Sequence, residues 1–141
     1  RTASSARRGR VSRPGEGDAP DGGHGCPPAA GGWLVRDARV LASLEIPTTR
    51  RARAIGLLGR RGIDGAMLLR PARSVHTIGM RFDLDVAFLD ADGVVIRTLR
   101  LHRNRITPPV WRARAVLEAE AGSFGHWELK IGDVMEIRSA D

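Results

Sequence analysis

The sequence predicts an α+β domain, on three observations. Short apolar runs with strand character outnumber helical stretches, only two segments carry a helical signature, and no strand–helix–strand unit repeats along the chain. Turn signals built from Gly, Pro and Asp separate the runs, as expected of hairpin-connected strands. The expected architecture is a curled, mainly antiparallel sheet with two short helices.

The elements follow in order. Trp33–Val35 and Val40–Leu44 flank Arg36, Asp37 and Ala38 as a first hairpin. Pro47 and Thr48 announce a helix, with Thr48 or Thr49 as its N-cap. In Thr49–Leu58 the apolar stripe Ala52, Ile55, Leu58 has helical spacing, Arg50, Arg51 and Arg53 fall on the solvated side, and Gly59 can close the helix in the left-handed conformation. Ala66–Leu69 reads as a buried strand ended by Arg70–Pro71. Asp85–Asp90 is the clearest strand: Val86 and Phe88 point one way, Ala87 and Leu89 the other, so both faces are covered. Asp92–Gly93 turns the chain and Val94–Leu101 pairs back.

Residues 102–111 form a loop rich in Arg, His and Pro. Arg112–Ala121 is a further strand with Ala113, Ala115, Leu117 and Ala119 on one face. Ser123 is expected to cap a short helix carrying Phe124 and Trp127, and Gly132–Asp133 to lead into a last strand, Val134–Arg138.

A length of 141 residues suits one domain and not two. Residues 1–32 read as a disordered leader of Arg, Gly and Pro, and residues 33–141 as the single globular domain. Arg7–Arg8 lacks the apolar stretch that an export signal requires, so the expected location is cytoplasmic. No apolar run reaches the ~18–20 residues of a membrane span. The single cysteine, Cys26, excludes an internal disulfide and argues against a structural zinc site. A formal net charge of +7 invites a nucleic-acid reading. Acidic residues are interspersed with the arginines, however, and a solvated basic surface accounts for the charge more simply.

Arg53-x-x-Gly56-Leu57-Leu58-Gly59, His76-Thr77-x-Gly79-Met80-Arg81-Phe82, Leu84-Asp85-Val86-Ala87-Phe88-Leu89-Asp90, Val116-Leu117-Glu118 with Ala121-Gly122, and Ile131-Gly132-Asp133 occur in this order. Together they resemble the bacterial family called domain of unknown function 192, or uncharacterised protein family 0127. The resemblance spans residues 33–138 and implies a mixed, strongly curved sheet forming an incomplete barrel closed by helices. It implies no activity. Many relatives look exported or lipid-anchored, a feature the leader here does not share.

His76 with Asp83, Asp85 and Glu118 is the one grouping with the chemistry of a site: a group titrating near neutral pH and carboxylates that can orient it. Met80 and Arg81 close the segment that His76 opens, where a binding loop is expected. Trp111, amid the arginines at 70, 73, 81, 97, 100, 103, 105, 112 and 114, is a candidate stacking platform in an anion-binding surface. No GxSxG turn and no phosphate-cradling glycine motif is present, so neither a complete catalytic set nor a cofactor is expected. Asp90–Gly93 resembles part of a calcium loop, but Phe88 and Leu99 would fall on ligand positions, so no metal is expected.

The leading expectation is a non-enzymatic binding or accessory domain for a small polar or anionic ligand, or for a protein segment. The alternative is a hydrolase-like enzyme with His76 as base and Asp85 or Glu118 as its orienter. A third reading, weak nucleic-acid binding through the arginine loops, is placed last.

Overall fold

A computed structural model describes residues 29–139. Most of the expected leader, with Cys26, lies outside the described residues. Nine elements follow in chain order: β1 Ala29–Arg36, β2 Arg39–Pro47, α1 Arg50–Ile55, β3 Ala66–Leu69, β4 Leu84–Leu89, β5 Val95–Leu101, β6 Ala115–Glu120, α2 Ser123–Trp127 and β7 Glu136–Ser139. The strands form one seven-stranded sheet in the order β5-β4-β6-β3-β2-β1-β7. Only β2 and β3 run parallel; every other neighbouring pair is antiparallel. An isolated bridge between Val94 and Val134 brings the two ends of the sheet toward each other without closing it. The result is an α+β fold on a curved, open, mixed sheet.

Local sequence explains most of the boundaries. Asp37 and Ala38 form the β1–β2 turn with φ of 50° and 62°, and two left-handed residues in a two-residue loop match the twist of the flanking strands. β1 starts at Ala29, ahead of the expected Trp33. Gly32 therefore belongs to the strand, and a Cβ there would lie 2.6 Å from the Arg138 carbonyl oxygen on β7. Only a glycine lets the two backbones approach so closely.

Thr49 caps α1, its hydroxyl accepting from the Ala52 amide at 3.0 Å. The helix is shorter than the Thr49–Leu58 expected. Gly56, at φ 47°, ends it after Ile55, and the change of direction reverses the expected burial: Leu57 goes into the core and Leu58 is left 45% exposed. A periodicity read past a glycine of this conformation continues in the wrong phase.

Alternation along the central strands divides the core between the two faces of the sheet. Ala87 and Leu89 of β4, Leu117 and Ala119 of β6, and Leu34 and Leu44 belong to the concave face, which Phe124 and Leu129 help to cover. Val86 and Phe88 of β4, Val116 of β6 and Met67 of β3 lie on the other face, beneath Leu57, Ile63, Val75, Met80 and Phe82 from the connecting segments. Phe88 and Leu117 are fully buried, one on each face, as their alternation predicts.

Candidate functional site

Glu118 occupies the middle of β6, paired with Met67 of β3 on one side and Val86 of β4 on the other. It therefore shares the face of Val116 and Phe88, and its immediate cross-strand neighbours Met67 and Val86 are apolar and buried. The residue is 4% exposed. Its carboxyl group makes no hydrogen bond or ion pair among the described residues, and burial alone pushes its pKa from 4.5 to about 7. No buried side-chain oxygen of the described residues is sealed in without a partner, so the Glu118 oxygens retain some contact with open space.

That space is a cleft of about 300 Å³ between the sheet and the segments that cover it. Leu57, Leu69, Val75, Met80 and Leu84 supply apolar walls, and among the described residues Glu118 is the one acidic group lining it. Half-buried Arg53 and the exposed Ser74 and His76 line its solvent side. The size lies at the lower end of the usual range for small-molecule sites, and an apolar lining with few polar groups is their usual composition.

The wall that carries Ser74 and His76 is tied to the 102–107 loop. Val75 and Thr107 exchange hydrogen bonds, Thr107 N donating to the Val75 carbonyl at 2.9 Å and Val75 N to the Thr107 hydroxyl at 3.0 Å. Thr77, fully buried, donates through its amide to the Arg105 carbonyl at 2.8 Å, and its hydroxyl accepts from Arg105 N at 3.0 Å. Alternation in this extended segment turns Val75 inward and leaves Ser74 and His76 exposed.

The fold does not assemble the full grouping expected around His76. His76, Met80 and Glu118 line the same cleft, but His76 makes no side-chain hydrogen bond to Glu118 or Ser74. Asp85 points to the opposite face, in phase with Ala87 and Leu89. There one carboxyl oxygen accepts from the Gly122 and Phe124 amides at 2.9 and 3.1 Å, and the other from Arg100 Nε at 3.2 Å. Asp85 thus does for α2 what Ser123 was expected to do. Gly122 is the N-cap residue and has no side chain, so the cap comes from a neighbouring strand.

Asp83 is outside the cleft as well. It accepts from Arg103 N at 2.9 Å and lies 3.1 Å from His102 Nδ1, and these hydrogen bonds hold its carboxyl below the usual range. Arg81 is exposed and lines no part of the cleft. Trp111 is 74% exposed, with Arg114 donating to its carbonyl oxygen rather than facing its ring. Asp90, at the suspected calcium loop, spends one carboxyl oxygen on the amides of Asp92 and Val94, at 2.9 and 3.0 Å, and so builds the turn. Among the described residues no three His, Cys, Asp or Glu side chains gather as a metal site would need.

Sequence reasoning missed Arg53 and Ser74. Arg53 was assigned to a solvated helix face, which ignored its position in the last turn, just before the Gly56 bend that turns Leu57 inward. Ser74 carries a legible signal in retrospect: it stands two residues from His76 across an apolar Val75, the spacing that puts both on one side of an extended segment.

The family model DUF192, described as Uncharacterized ACR, matches residues 34–137. Two solved structures share the fold. One is a protein from Sinorhizobium meliloti 1021, provisionally described as a transcription regulator. It is 22% identical, with a TM-score of 0.67 over 82% of this chain and 98% of that one. The other, a protein of unknown function from Novosphingobium aromaticivorans DSM 12444, is 19% identical, with a TM-score of 0.62 over 77% of this chain and 84% of that one. No curated protein matches the chain.

Proposed function

The chain belongs to the DUF192 family, and we propose that it acts as a binding domain which takes a small polar ligand into the cleft above Glu118. One observation carries this reading: a nine-tenths-buried carboxyl group, without a hydrogen-bond or ion-pair partner among the described residues, lines a cleft whose inner walls are apolar and whose other polar groups, Arg53, Ser74 and His76, stand on the solvent side. Burying a polar group without a hydrogen bond costs about 1–3 kcal/mol by mutational measures. A leucine or methionine on this strand face would avoid the cost, as Met67 and Val86 do beside it. Retention of a destabilising group is the usual mark of a functional position.

Binding requires only what the cleft already contains. The hydrolase alternative requires a base held by an orienting carboxylate, whereas Asp85 is committed to α2 and the His76 side chain has no hydrogen-bonded partner among the described residues. Weak nucleic-acid binding has less support still, because Arg100 and Arg103 are paired with Asp85 and Asp83, and Trp111 stands apart from the cleft.

A fragment screen read by amide chemical shifts tests the proposal. Hits should perturb Leu57, Val75 and Met80 and should be lost in Glu118→Leu. Hits that map elsewhere, or that bind Glu118→Leu equally well, would remove the cleft as the site.

A further inference from the structure

We infer that the ligand of this cleft carries a primary ammonium group, which it buries against Glu118, an apolar body along the walls, and an anionic end at Arg53. The inference rests on the cleft being a binding site, as proposed above, and adds the chemical class of its occupant.

Glu118 selects the buried end. Its carboxyl receives no N–H or O–H from the protein among the described residues, so four lone-pair sites await donors from outside. A carboxylate or phosphate at that end would place two acids in a poorly solvated space, where both cannot ionise. A neutral amide would donate hydrogen bonds but leave the charge of an ionised Glu118 uncompensated. A primary ammonium supplies three donors and the opposite charge together, and charge-assisted hydrogen bonds are roughly twice as strong as neutral ones. A quaternary ammonium has no N–H to give and relies on aromatic faces, yet among the described residues no Phe, Tyr or Trp lines this cleft.

The walls select the body. Leu57, Leu69, Val75, Met80 and Leu84 offer no hydrogen-bonding side chain, so the segment beyond the ammonium is hydrocarbon. Arg53 selects the outer end: it lines the cleft half-buried and forms no ion pair or side-chain hydrogen bond among the described residues. It suits a carboxylate or another planar anion. A lysine side chain on a protein has the ammonium and the hydrocarbon but no anion at the far end, which makes a free small molecule the better fit.

Titrations of the described protein in full, followed by amide chemical shifts, separate the terms. Five probes suffice: 6-aminohexanoate, hexylamine, hexanamide, hexanoate and a lysine blocked at both its α-amino and carboxyl groups. The amino acid should bind tightest, then hexylamine and blocked lysine together, with hexanoate weakest. Glu118→Gln should weaken all three amines about tenfold or more, the equivalent of one unit in log Kd. Arg53→Ala should bring 6-aminohexanoate down to the level of hexylamine and leave hexylamine unchanged.

If hexanoate or hexanamide binds as well as hexylamine, the ammonium assignment is overturned while the cleft stands as a binding site. If blocked lysine binds more tightly than the amino acid, the free small molecule is overturned in favour of a lysine-bearing partner. If no probe moves the Val75, Met80 or Leu57 amides, and fragments of other classes do, only the inferred class fails. If no fragment of any class moves them, the binding reading fails with it.

Discussion

Asp85 and Glu118 stand one register step apart on neighbouring strands, Val86 facing Glu118 and Ala119 facing Asp85, yet they project from opposite faces of the sheet. One carboxylate has both oxygens engaged by amides and a guanidinium; among the described residues the other has neither engaged. Two buried acids separated by one step of alternation therefore have opposite effects on stability.

Substitution at the two sites should move stability in opposite directions. Asp85→Ala orphans the Gly122 and Phe124 amides at the start of α2 and should destabilise by about 2–4 kcal/mol. Glu118→Leu removes an unpartnered buried acid and should stabilise by about 1–3 kcal/mol. Urea unfolding monitored by tryptophan fluorescence measures both. Loss of stability in Glu118→Leu would mean that the carboxyl is satisfied in solution.

Glu118 also sets a pH dependence. Its folded pKa, about 7, lies above the ordinary 4.5. Between those values the folded chain holds a proton that the unfolded chain has released. Stability from this group is thus intact below about pH 4.5 and declines as pH rises toward 7, by about 3 kcal/mol in total at 1.36 kcal/mol per unit. Glu118→Gln cannot titrate, so the difference in unfolding free energy between it and wild type should grow from pH 5 to pH 8. A constant difference across that range would show that Glu118 keeps an ordinary pKa.

Phe88→Ala and His76→Ala should differ widely. Phe88 is fully buried in the core on the Glu118 face, and truncation should cost about 3–5 kcal/mol. His76 is exposed and has no side-chain hydrogen bond among the described residues, so His76→Ala should stay within about 0.5 kcal/mol of wild type. Denaturant midpoints compare the two directly. An equal loss in His76→Ala would make the histidine structural.

Starting the chain at Trp33 should weaken the domain. It deletes four residues of β1, whose partners on β2 are Pro47, Ile46, Glu45 and Leu44, and Gly32 also pairs with Ser139 of β7. A chain starting at Trp33 should melt several degrees below the full-length chain, since about 1 kcal/mol shifts the midpoint of a domain this size by roughly 4 °C. Equal melting temperatures would show that this end of β1 adds nothing.

Strand content and the inward and outward residues of the central strands were readable because alternation is a local property: Leu84–Leu89 and Ala115–Glu120 declare both faces in their own sequence. The same alternation, carried one step further, separates Asp85 from His76 and Glu118. Complementary chemistry suggests a common site, whereas the strand period puts Asp85 on the face opposite Glu118. Helix ends were less legible. Gly56 and Gly59 both allow the bend, and only the packing of Leu57 decides between them. The cap on α2 could not be read at all, since the carboxylate that accepts from its amides lies 37 residues away from Gly122 on another strand. Arg53 was overlooked for a similar reason, because cleft-lining residues come together from segments distant in the chain.

The tie between Thr77 and the 102–107 loop decides how the cleft can breathe. Its outer wall is not a strand of the main sheet; it hangs from Arg105 and Thr107 by hydrogen bonds to Val75 and Thr77, with the Asn104 amide adding a further bond to the Thr77 carbonyl at 3.0 Å. Two surface segments 25 or more residues apart in sequence are thereby stitched into a single panel. Such a panel swings as a unit or not at all, because bending one half alone would strip a buried threonine of its partners. Residues 102–107, which do not line the cleft, thus fix the position of the wall that carries Ser74, Val75 and His76.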